Sequence, residues 1–346
     1  MTPEIELKLA VTPNFVELLT QSLTNFHILQ HKTVFLGNCY YDNANLQLAA
    51  CKIGLRVRKE NENFTLTLKT DGEVKGGLHI RPEYNLSLEN ADFGEVQLAA
   101  LAEQSGISLS QFMPFQIIFS TDFERQFWLV ECGNGAVIEV AFDQGEILAG
   151  KNKQAICEVE FELKQGKIQD LLFFVKGLIL EKAIRLSSAS KAQRGYALAN
   201  FEIKEIDWLV EWEFVLQKIS TDSKYLQHLL QFEQNLIEDT FSLGQSYLGA
   251  DFSRCVARIS AFFNLYSYFQ ENQSLLHRIC LQNSNFDESI FIELLDSNQW
   301  LLEQIKDIMC THSQTKNHQQ AIGQLCQLLE TGEYVKRMLN LLQLGL

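Results

Sequence analysis

Seven short segments of this chain alternate apolar and polar residues with a period of two, and their polar sides are charged. Glu4 to Leu9 sets Glu4, Glu6 and Lys8 against Ile5, Leu7 and Leu9. Gly54 to Lys59 sets Arg56 and Arg58 against Leu55 and Val57, and Phe64 to Lys69 sets Thr65, Thr67 and Lys69 against Phe64, Leu66 and Leu68. Leu78 to Tyr84 aligns His79, Arg81 and Glu83; Phe123 to Trp128 is less regular and carries Arg125. Ala136 to Asp143 places Glu139 and Asp143 away from Ile138, Val140 and Phe142, and Cys157 to Leu163 aligns Glu158, Glu160 and Glu162. Successive side chains of a strand point to opposite faces, so this alternation predicts β-strands with one apolar and one charged side.

An isolated Glu-x-Glu-x-Lys is usually an ordinary half-exposed strand face. Here, however, the carboxylates gather on the first, sixth and seventh segments, and the cations on those between. Strands closed into a barrel can turn all these faces inward, around a lumen that holds side chains or one small ligand. Enclosed charge is costly unless it is paired or bound. A metal–polyanion ligand supplies the match, because hard cations such as Mg²⁺ and Mn²⁺ take oxygen ligands while lysine and arginine take phosphate.

With the lysine-ended strand and Ser190-Lys191-Ala192-Gln193-Arg194-Gly195-Tyr196, these motifs resemble the CYTH superfamily of triphosphate tunnel metalloenzymes over roughly residues 1–200. Gly77–Asn85, Phe119–Phe123 and Phe142–Glu146 are similar to its bacterial inorganic triphosphatase branch. The resemblance implies an α+β fold: an eight-stranded antiparallel β tunnel with flanking helices over 1–203, then an all-α bundle over 204–346. It implies a metal side made of Glu4, Glu6, Asp143, Glu158, Glu160 and Glu162, with Mg²⁺ or Mn²⁺ as cofactor. It implies a phosphate side made of Lys8, Arg56, Arg58, Lys69, Arg81, Arg125, Ser188, Lys191 and Arg194. Glu158, Glu160, Arg56 and Arg58 are the expected catalytic groups, a carboxylate of the late strand orienting the attacking water. His79 reads as structural.

A length of 346 residues suggests two domains. Residues 1–203 hold 19 Lys and Arg against 25 Asp and Glu, and 204–346 hold 10 against 18. Neither half has the basic surface of a nucleic-acid binder. The N-terminus shows no signal peptide, and the most apolar run, Leu171 to Leu180, is too short to span a bilayer. Eight scattered cysteines without a CxxC pair suggest reduced thiols and a cytoplasmic protein. The glycine-rich Gly72 to Gly77 lacks the ending of a phosphate-binding loop and reads as a hairpin connection, as does Gly133-Asn134-Gly135.

Helices are expected from Phe15 behind Pro13, over Asp92–Gly106, over Lys167–Leu180 and over Ser187–Leu198, where Ser188, Lys191 and Arg194 share a face. Beyond Glu202 the period changes to about 3.6, predicting helices over Trp208–Ile219, Lys224–Ile237, Arg254–Glu271, Glu288–Met309 and Asn317–Leu342. Phe252 to Phe269 loosely resembles the opening of a CHAD domain, a histidine-rich helical module. The region is short and acidic, and His228, His277, His312 and His318 form no repeated basic face. It reads as a structural partner or a means of homodimerisation. Three activities fit the motifs: hydrolysis of inorganic triphosphate, action on an organic triphosphate (thiamine triphosphatase or class IV adenylyl cyclase), and metal-dependent binding of triphosphate or polyphosphate without turnover.

Overall fold

The computed structural model describes residues 4–200, 206–218, 224–283 and 286–346. The alternating segments form strands β1 (Glu4–Ala10), β3 (Gly54–Glu60), β4 (Asn63–Lys69), β6 (Leu78–Arg81), β7 (Glu83–Leu88), β8 (Gln116–Glu131), β9 (Val137–Ala149) and β10 (Asn152–Gln165), joined by β2 (His27–Asp42) and the short β5 (Glu73–Lys75). They lie in the order β5-β6-β1-β10-β9-β8-β2-β3-β4-β7, and every pair along that path from β6 to β7 is antiparallel.

This order corrects the expected strand count from eight to ten. One extra strand is β5, inside the segment that reads as a loop. The other comes from Pro82, which has no N–H to give a ladder and divides Leu78–Leu88 into β6 on β1 and β7 on β4. Strands near opposite ends of the path are therefore joined through a single proline, and the sheet curls back on itself. The 16-residue β2 had no place among the seven alternating segments. Its first seven residues are mostly exposed, and only from Val34 onward does every second side chain turn inward.

Cross-strand partners share a face, so the register decides which charges meet. Lys8 lies opposite Glu160, Asp143 opposite Glu158, and Arg125 opposite Asp143. Across the sheet, Arg58 lies opposite Asn38, Arg56 opposite Tyr40 and Thr67, and Lys69 opposite Glu83. The other face is apolar: Leu55, Val57, Leu66 and Leu68 pack with Leu98 and Leu101 of a helix, and Leu7, Leu9, Val140, Val159 and Phe161 are fully buried.

The helices are α1 (Phe15–Leu23), α2 (Gln47–Ala50), α3 (Glu95–Ser105), α4 (Ile168–Lys176), α5 (Lys191–Asn200), α6 (Trp208–Gln217), α7 (Tyr225–Leu248), α8 (Phe252–Glu271), α9 (Gln273–Cys280), α10 (Glu288–Thr315), α11 (His318–Leu329) and α12 (Gly332–Gly345). The single helix expected over Asn317–Leu342 is two, because Thr331 leaves helical geometry and its hydroxyl caps Tyr334 N–H at 3.2 Å. The α9 helix follows α8 after one residue and had no separate periodic signal.

The chain divides into two compact units. One comprises residues 1–74, 78–171 and 189–202; the other comprises 75–77, 172–188 and 203–346. The boundary expected at 203/204 lies outside the described residues. Within the helical unit, segment 172–188 is tied in by Ala183 N–H to the Glu330 carbonyl and by Arg185 to Glu238 at 3.1 Å. A buried network of Glu233, Arg337, Tyr334 and Tyr266 fixes its interior.

Candidate active site

The charged face of the curled sheet holds two neighbouring regions of different character. On β9 and β10, Asp143, Glu158 and Glu160 each offer an oxygen within 4.8 Å of the others. Lys191 at the start of α5 reaches Asp143 at 2.6 Å, Glu158 at 2.5 Å and Glu160 at 2.9 Å. Lys8 lies 3.3 Å from Glu158 and 3.1 Å from Glu160. Arg125 makes a two-pronged contact with Asp143, 2.7 Å on each prong, and touches Glu160 at 2.5 Å. Arg194, one turn after Lys191, reaches Glu158 at 3.0 Å. Asp143 is fully buried, Glu158 nearly so and Glu160 partly.

The second region is cationic. Arg58 Nε donates to Asn38 Oδ1 at 3.0 Å, and Arg56 donates weakly to Tyr40 Oη at 3.5 Å. Arg56 Nε is buried without a partner, and among the described residues neither guanidinium has a carboxylate within ion-pair distance. By contrast, Lys69 bridges Glu4 and Glu83 at 2.6 Å each.

These contacts explain the protonation states. Burial opposes ionisation of Glu158 and Glu160, but Lys191 and Lys8 outweigh it and hold both below the usual carboxylate range, Glu160 well below. Glu6 has no such surplus of cations: burial, reinforced by Glu160, pushes it up to about 7. Burial, then Arg56 and Arg125, bring Arg58 down to about 10. His79 is buried, its Nε2 unpartnered; burial and the nearby Lys8 and Arg81 lower it to about 2, so its ring is neutral.

A family model described as the CYTH domain matches residues 2–196, more than half of the sequence. The chain belongs to the CYTH family. A Haemophilus influenzae protein named inorganic triphosphatase is 44% identical, the match covering 100% of this chain and 98% of that protein. Among solved structures, a Hippeastrum protein described as having a dominant triphosphatase activity is 22% identical, with a TM-score of 0.40, covering 58% of this chain and 97% of its own. A Pyrococcus horikoshii protein is 17% identical with a TM-score of 0.35, covering 55% and 97%. At these scores neither structural likeness bears on activity.

In this CYTH chain the expected site residues do not all meet. Asp143, Glu158, Glu160, Lys8, Arg125, Lys191 and Arg194 converge. Glu6 borders them, 3.6 Å from Lys8, and Glu4 is engaged with Lys69. Glu162 lies opposite Glu6 but turns to Lys164 at 2.7 Å, outside the oxygen cluster. Arg81 is half-buried opposite Glu4. Ser188 belongs to the helical unit, where its N–H donates to Glu238 at 2.6 Å; the three-residue spacing misleads because α5 begins only at Lys191. Asn38 and Tyr40, which hold the two arginines, went unnoticed with β2: the inward set Val34, Leu36, Asn38, Tyr40 and Asp42 mixes apolar and polar residues and leaves no alternating signal in the sequence.

Proposed function

We propose that this CYTH chain hydrolyses inorganic triphosphate to pyrophosphate and phosphate with a divalent cation. The observation that carries the reading is the pair Arg56 and Arg58: two half-buried guanidiniums with no carboxylate within ion-pair distance among the described residues, on the same sheet face as a three-carboxylate cluster. Leaving such charge uncompensated is costly, and a polyphosphate supplies the missing negative charge. The relative named inorganic triphosphatase supports the same choice.

Asp143, Glu158 and Glu160 form an all-oxygen donor set suited to Mg²⁺ or Mn²⁺, with Glu6 and Glu4 beside it. When bound, such an ion neutralises phosphate charge and polarises the phosphoryl group. Arg56, Arg58 and Arg125 orient the phosphate oxygens and stabilise the charge that spreads over them during transfer. Lys8 and Lys191, which neutralise the carboxylates, can exchange them for substrate oxygens. Either Glu158 or Glu160 would align the water. We assign this chemistry to a tunnel within residues 1–203 in a cytoplasmic protein, and a structural or dimerising role to 204–346. No nucleic-acid partner is proposed.

The test is phosphate release from inorganic triphosphate, ATP and thiamine triphosphate with Mg²⁺, with Mn²⁺ and with chelator. Metal-dependent turnover of inorganic triphosphate in preference to the other two is expected, and Asp143→Asn should lower it by two orders of magnitude or so. Preference for thiamine triphosphate, or a cyclic product from ATP, would replace the substrate. Tight binding without turnover would make the protein a sensor.

A further inference from the structure

The helical unit holds a cluster that triphosphate chemistry does not use. Cys255 in the first turn of α8, His312 in the last turn of α10 and His318 at the start of α11 bring Sγ and two ring nitrogens within 4.8 Å of one another. Cys255 Sγ lies 3.8 Å from His312 Nε2, and His312 Nε2 lies 2.7 Å from His318 Nδ1. Cys255 is fully buried and His312 nearly so, while His318 is half-exposed. The Phe252 ring stacks on the His312 imidazole with centroids 6.1 Å apart and meets that of His318 edge-on at 6.0 Å.

We propose that Cys255, His312 and His318 bind one Zn²⁺ ion. A sulfur and two imidazoles from three helices match the donor types of zinc, and a tetrahedral ion spaces such atoms roughly 3.3–3.6 Å apart. The 3.8 Å sulfur–nitrogen gap needs to close by only about 0.2 Å, and the two imidazoles, 2.7 Å apart, need to part by about 0.6 Å. Three protein ligands leave a fourth position for water, as in open zinc sites. The thiol must give its proton to solvent when the ion enters. Burial, with Asp251 adding, holds that thiol at about 11 without an ion, so thiolate formation should accompany binding and not precede it. The ion would pin the start of α8 to the α10–α11 junction, where Lys316 takes a left-handed conformation between the histidines.

The full-length chain, stripped with chelator and titrated with Co²⁺ as a spectroscopic probe, tests the site. One equivalent should give tetrahedral absorption with a thiolate-to-metal charge-transfer band, and one equivalent of Zn²⁺ should bleach it. The carboxylate cluster has no sulfur and cannot produce that band. Cys255→Ser should abolish the band, and His318→Ala should weaken Zn²⁺ binding beyond the roughly 10–100-fold that loss of a supporting contact costs. Triphosphate hydrolysis in Mg²⁺ should be unchanged in both. Absence of the band from the unaltered chain, or its survival in folded Cys255→Ser, would overturn the proposal and leave a hydrogen-bonded trio. Should Cys255→Ser fail to fold, undiminished Zn²⁺ affinity in His318→Ala would overturn it equally.

Discussion

Among single residues, Arg58 separates function from stability. Its guanidinium is half-buried, held by Asn38 and repelled by Arg56 and Arg125. Arg58→Ala should therefore lower kcat/KM for triphosphate by about 10²–10³-fold, while thermal melting shows a midpoint unchanged or raised. A matching loss of stability would mean that the arginine is structural. Glu6 offers a pH signature. With a folded pKa of about 7 against an ordinary 4.5, its carboxyl binds more protons folded than unfolded between those values. Its contribution is fully present below about pH 4.5 and is lost as pH rises through 7. Denaturant melts in chelator should show that fall, and Glu6→Gln should flatten it. Most of these residues were legible in the sequence because a period of two leaves every inward charge visible. What stayed hidden is the choice of partner: Glu162 turns to its strand neighbour Lys164 and not to the cluster, and Cys255 meets His312 across 57 residues. Alternation names the face of a side chain but not the group it meets there.

For elements, the decisive placement is that of α5, which delivers Lys191 and Arg194 to the carboxylates. Gly195 makes its approach possible, since a Cβ there would collide with the Phe119 ring of β8. Gly195→Ala should push α5 outward and reduce turnover on the order of 10²-fold, as small misplacements of catalytic groups do; full activity in this variant would show that α5 can shift without harm. The strands were read from alternation where one face is apolar throughout. Alternation failed for β2, whose inward set mixes apolar and polar residues, and for the Pro82 break, where one alternating run serves two neighbours. Helices were legible as periods, but their ends follow local caps such as Thr331.

The whole molecule is interleaved. Segment 172–188 leaves the sheet-bearing unit, belongs to the helical one and returns as α5. A chain ending at residue 203 should consequently be poorly soluble. Leu178, Ile184 and Leu186 are buried, and exposing such side chains costs roughly 1.5–3 kcal/mol each, a large share of a domain's usual 5–15 kcal/mol. Recovery of a soluble, fully active 1–203 fragment would contradict this. The sequence pattern marks the change from strands to helices but not the interleaving, because an excursion of 17 residues carries the same apolar composition whichever unit receives it.

That excursion also sets a clock. The carbonyl and N–H groups that receive it at Glu330 and Gly332 lie more than 140 residues further along the chain. At a synthesis rate of about 5–20 residues per second, the segment waits on the order of ten seconds on the ribosome before its partners exist. During that interval Leu178, Ile184 and Leu186 are open to any passing chaperone.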